Sequence, residues 1–103
     1  MVVRWTSLSI AEQLAHVGSE VERALRAHEA GMAGRRDHAL TRALELFDLT
    51  VTDARWRGAR RREVLRAREE FCAHLLGNRP PSSTAGLRKY FLAFAVLARR
   101  AHL

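Results

Sequence analysis

The sequence predicts an all-α fold, a single-domain up-down-up-down four-helix bundle spanning residues 1–103, and three observations predict it. Leu, Ala, Arg and Glu dominate, all good helix formers, while Gly (6) and Pro (2) are scarce. Apolar residues recur every third or fourth position through four stretches, the period of a helix with one buried face. The breaks in that period fall on Gly, Pro or clustered Thr. The chain is long enough for one core and not two. Four amphipathic helices with short links pack most simply as alternating neighbours.

The first helix is expected over roughly 9–30. "SIAE" at Ser9 to Glu12 fits a capping box. Ile10, Leu14, Val17, Val21 and Leu25 form its stripe, and Gly18 borders it where a partner helix could come close. His28 falls near the stripe's end, where it suits free carbonyls better than a ligand. "AGMAG" then breaks the pattern. Asp37 is the expected N-cap of a second helix over roughly 37–51, with a stripe of Leu40, Ala43, Leu44, Phe47 and Val51. "TVTDA" ends it.

The third helix is expected over roughly 58–76, with Val64, Leu65, Phe71, Cys72, Leu75 and Leu76 inward, Gly77 as C′ residue and Pro80-Pro81 barring continuation. Ser82, Ser83 or Thr84 can cap the fourth, over roughly 84–101. Leu87, Tyr90, Phe91, Phe94, Leu97, Ala98 and Ala101 line one of its faces. Helices two and four each carry a second, outer stripe, Leu46 with Leu49 and Leu92 with Val96. These are either scattered surface residues or the seam of a homodimer.

Net charge is +7, which admits anionic partners. Seventeen of the 18 basic residues are Arg, a skew that GC-rich codons also produce, so composition alone does not establish phosphate binding. One cysteine, Cys72, precludes an intramolecular disulfide. "MVVRWTSLSI" has no apolar signal core and no apolar run approaches a membrane span, so the expectation is a cytoplasmic chain without a membrane partner. No metal or cofactor is expected. Glu12 with His16 and Glu70 with His74 stand at the i+4 spacing of surface ion pairs, and the single lysine, Lys89, follows no glycine-rich loop.

"RWRGARRREVLRAR", from Arg55 to Arg68, has seven Arg and one acid, Glu63. Its first part, Arg55, Trp56, Arg57, Arg60, Arg61 and Arg62, gathers at a helix start. There the macrodipole disfavours cations by about 0.3–1 kcal/mol each but favours anions, so the cluster is a candidate surface for RNA or another polyanion. Trp56 could stack on a base or an arginine plane. Arg68 falls near the middle of the third helix's apolar face. A charge there needs a partner, and Asp48, beside the second helix's stripe, is the first candidate for a buried ion pair, with Glu22 and Glu29 as others.

"GSEVERAL", "RALELFDLT", "RWRG", "LRAREEFC" and "KYFLAFA" together resemble an uncharacterised bacterial family of small all-helical proteins, over nearly the whole chain. That resemblance implies a single domain and no particular activity. Arg68 and His74, with five residues between them, and Arg23 and His28, with four, are also similar to the Arg–His spacing of HEPN-type domains. About 2.5 such pairs arise by chance at this composition. That likeness would imply a metal-independent ribonuclease of toxin–antitoxin type, dimeric, with Arg68 on the phosphate and His74 as base on a ribose 2′-hydroxyl. Glu69 departs from the Asn or Asp such domains carry after the arginine. The leading expectation is therefore a non-enzymatic, dimeric binding protein. The alternatives are the ribonuclease and a structural protein–protein interaction module.

Overall fold

The computed structural model describes residues 5–77, 79 and 84–101. A 3-10 turn, Trp5–Ser7, leads into α1 (Ile10–Glu29), α2 (Ala33–Val51), α3 (Ala59–Leu76) and α4 (Ala85–Arg100), with no strand among the described residues. The four helices pack as an all-α bundle. α1 is the central member and makes the most numerous close backbone approaches, to α2 and to α4, while α3 makes fewer.

α1 begins as its sequence dictates. The Glu12 N–H donates to Ser9 Oγ at 3.1 Å and the Ser9 N–H donates to Glu12 Oε1 at 2.9 Å, a reciprocal cap that contributes about 1 kcal/mol. Leu14, Val17, Val21, Ala24 and Leu25 are each 1 % exposed or less, and burying each Leu or Val contributes about 1.5–3 kcal/mol. Gly18 makes the close approach expected of it. A Cβ there would lie 2.8 Å from Phe91 Cβ on α4.

α2 corrects the sequence expectation. It starts at Ala33 behind Met32, and Asp37 is an exposed residue paired with Arg36 rather than an N-cap. The cause lies in "AGMAG". Gly31 takes φ +72°, its N–H donates to the His28 carbonyl at 3.1 Å, and the Met32 N–H donates to the Ala27 carbonyl at 2.8 Å. This αL termination reverses the chain within three residues, leaving Gly34, Arg35 and Arg36 free to be helical. His28 itself is exposed, off the buried stripe.

Phe47 and Phe71 are fully buried at the centre, with ring centroids 6.0 Å apart, and Phe91 meets Phe47 edge-on at the same distance. Val64, Ala67, Leu75, Leu87 and Phe94 complete one continuous core. Leu65, Leu76 and Leu97, expected inside, are 40 %, 73 % and 51 % exposed, and Ala101 is exposed too. α3 makes few close approaches to its neighbours, and of its apolar residues only Val64, Ala67, Phe71 and Leu75 are buried. Gly77 is an extended C-cap whose N–H bonds to the Ala73 carbonyl, not a left-handed C′ residue. Thr84 stands at the N-cap of α4 without a side-chain bond to that helix's N–H groups. Its hydroxyl accepts from Arg88 at 3.1 Å. Pro80, Pro81, Ser82 and Ser83, expected as stop and cap, lie outside the described residues. No helix is long and apolar enough to cross a membrane among the described residues.

Candidate nucleic-acid interface

The six-residue basic cluster divides into two sets. Arg55 and Trp56 belong to the fold. Asp53, 6 % exposed, accepts from the Arg55 N–H at 3.1 Å in an Asx-type turn, from Arg55 Nε at 3.0 Å and from Arg55 Nη2 at 2.7 Å. Arg55 Nη2 also donates to the Leu8 carbonyl at 2.8 Å, and its guanidinium lies 4.4 Å from the Trp56 ring centroid. Arg55 and the buried Gln13 amide hold the Asp53 carboxyl well below the usual carboxylate range against the opposing effect of burial. These residues clamp the α2–α3 loop onto the start of α1, and the Arg55 charge is met there by Asp53.

Gln13 is the residue that sequence reasoning missed. It is wholly buried. Its Nε2 donates to the Trp5 carbonyl at 2.9 Å and to Asp53 Oδ2 at 3.0 Å, and its Oε1 accepts from Trp56 Nε1 at 2.7 Å. One amide thereby joins the first turn, α1 and the α2–α3 loop. The available signal was a polar residue one turn before Val17 on the buried stripe, where it must find partners.

Arg60 is also committed. Nη1 donates to Glu63 Oε1 at 2.7 Å, the same oxygen that accepts the Tyr90 hydroxyl at 2.8 Å, and the guanidinium sits 5.5 Å from the Phe94 ring centroid. Burial, and then the facing Glu63 carboxylate, push the Tyr90 phenol well above its ordinary value.

What remains exposed is Arg57 and Arg62, with Arg61 half-buried. None of the three meets a carboxylate among the described residues, because Asp53 and Glu63 are occupied. Arg66, one turn beyond Arg62, is likewise exposed and unpaired among the described residues. Glu69, one turn further, bounds the patch. α3 starts behind Gly58, φ +66°, with no side-chain cap and no acid in its first turn. Its free N–H groups therefore add a positive partial charge beside the arginines.

Arg68 does face Asp48, Nε to Oδ1 at 3.3 Å, but the pair is not buried. Its side chains are 33 % and 61 % exposed, although the Arg68 Nε itself is buried and makes no hydrogen bond among the described residues. Such a pair contributes at most about 1 kcal/mol. His74 is buried, its side chain 2 % exposed, with Glu70 3.7 Å from Nε2, so it offers no surface to a ribose. Arg23, of the other Arg–His spacing, is held by Glu20 at 3.1 Å. No group of three or more His, Cys, Asp or Glu residues that could hold a metal gathers among the described residues.

The outer stripes differ. Leu92 and Val96 are 62 % and 39 % exposed and Leu49 42 %, whereas Leu46 packs partly against the core. α2 and α4 each pack on α1, and they meet one another through the Phe47 and Phe91 rings rather than by close backbone approach.

No family model matches the chain, and neither does any curated protein or solved structure.

Proposed function

We propose that the protein binds RNA through its phosphate backbone, at the outer side of α3's first two turns. The observation that carries this reading is the set of three exposed arginines, Arg57, Arg62 and Arg66, that meet no carboxylate among the described residues, although Arg55 and Arg60 beside them are neutralised by Asp53 and Glu63; Arg61 turns inward, with its Nε buried. Arginine forks match phosphate oxygens two at a time, and an uncapped helix start lends its N–H groups to the same anion. With Trp56 Nε1 held by Gln13, contacts to bases have little part. Binding is sequence-tolerant and salt-sensitive.

The protein acts as a pair in this reading, joined through the exposed Leu92, Val96 and Leu97 of α4. Two copies place two arginine patches on one strand, which raises affinity without new contacts. The test is retention of a single-stranded RNA by the purified protein across a salt series. Tight binding at low salt that falls steeply as salt rises supports the proposal, and no salt-sensitive retention ends it.

A further inference from the structure

A concave surface lies away from α3, in the angle between the C-terminal half of α1 and the first half of α2. It encloses about 780 Å³, within the usual range for a small-molecule site. Its floor is apolar and low: Ala27 and Ala39 are 7 % and 2 % exposed, and Ala30 and Met32 continue the strip to the chain reversal. Methyl side chains let a flat or extended body lie against the helices. From Glu20 to Ala30 the strip runs roughly 15 Å, at 1.5 Å of rise per residue.

The rim is one-sidedly cationic. Its single acid, Glu20, is 8 % exposed and already shared by Arg23 at 3.1 Å and Arg42 at 3.6 Å. Arg26 is held by Glu22 at 2.8 Å. Arg35 has no carboxylate among the described residues. Its Nη1 rests 3.9 Å from the Met32 sulfur, at the apolar strip's open end, with His38 one turn on. α2's first turn, which carries Arg35, has no side-chain cap and no acid. Its N–H groups reinforce the positive potential at that end. Positive charge that meets no carboxylate at one end of an apolar trough selects a ligand of matching asymmetry.

We infer that this groove binds a small amphipathic anion, its acid group on Arg35 beside His38 and its apolar body along Ala27, Ala30 and Met32. The site is separate from the α3 patch and does not depend on the RNA reading.

Laurate below its micelle concentration is the probe, titrated by calorimetry, with dodecyltrimethylammonium as its cationic counterpart. Two variants separate charge from shape. Arg35→Glu reverses the charge at an exposed position whose guanidinium meets the Met32 sulfur and no carboxylate among the described residues. Gly34→Trp fills the trough from a helical glycine with nothing within 4 Å of its would-be Cβ, so the fold tolerates it. Saturable binding of one laurate per chain, weakened tenfold or more by each variant while thermal unfolding and RNA retention stay unchanged, is the expected result. Absence of saturable laurate binding, equal binding of the cationic analogue, or affinity unchanged in both variants overturns the inference.

Discussion

The Gln13 side-chain nitrogen donates to Asp53 Oδ2 at 3.0 Å across forty residues of sequence, and all three strong hydrogen bonds of that amide are made inside the protein. The bond fixes where α3 begins relative to α1. It therefore sets which arginines of the basic stretch turn outward. Position of the patch and stability of the bundle are linked through this one side chain.

Gln13→Ala removes the amide and strands the Trp56 indole N–H, while the Trp5 carbonyl keeps the Leu8 N–H and Asp53 Oδ2 keeps Arg55. Leaving the buried donor unpaired costs about 1–3 kcal/mol, and the two lost bonds to acceptors that remain paired add about 0.5–1.5 kcal/mol each. A loss of about 3 kcal/mol in chemical denaturation is expected, with the Trp56 fluorescence shifted towards that of a solvated indole. An unchanged denaturation midpoint would show that the amide is not the clasp.

Asp53 gives the clasp a pH signature. Its folded pKa is depressed, so its ionised form is favoured by folding. Stabilisation is complete above the unfolded value of about 3.9 and is lost as pH falls through the lower folded value. Asp53→Asn should be about 2 kcal/mol less stable than the parent at pH 7, by the loss of charge-assisted hydrogen bonds. The two proteins should converge in acid, below about pH 4. Parallel stability curves from pH 7 to pH 2 would contradict this account.

Gly18 keeps α1 and α4 close. Gly18→Ala gains about 1 kcal/mol of helix propensity but drives a methyl to 2.8 Å from Phe91 Cβ, and overpacking of that kind costs about 1–3 kcal/mol. The expected net effect is a loss of about 1 kcal/mol. Gly86→Ala, with nothing within 4 Å, should be neutral or stabilising. Thermal melts of the two variants decide it, and a stabilised Gly18→Ala would mean the helices can part freely.

The helices were legible in the sequence because their signals are local. Ser9 with Glu12 marks a start, the Leu14–Val17–Val21 spacing marks a face, and Gly18 marks a contact. α2's start was not, because Gly31 ends one helix and so frees the next to begin at once, whereas Asp37 is the only residue there that looks like a cap. In the basic stretch, Arg55 and Arg62 are the same residue type in the same charge run. Their difference is made by Asp53 and Gln13, and Gln13 lies on another helix. The burial of His74 likewise depends on packing that spacing along α3 does not encode, and so does the exposure of the Arg68 and Asp48 side chains.

The central claim, that the unpaired arginines and not the basic composition bind RNA, is tested by the salt dependence of affinity in two charge-matched variants. One replaces Arg57, Arg62 and Arg66 with Ala. The other replaces Arg26, Arg36 and Arg79, each held by a carboxylate. Both lose three positive charges. Each phosphate contact on a single strand contributes about 0.7 to the slope of log affinity against log salt. The first variant should therefore lose about 2 from that slope and the second should keep the parent's. Equal slopes in the two variants, or a larger loss in the second, would contradict the account.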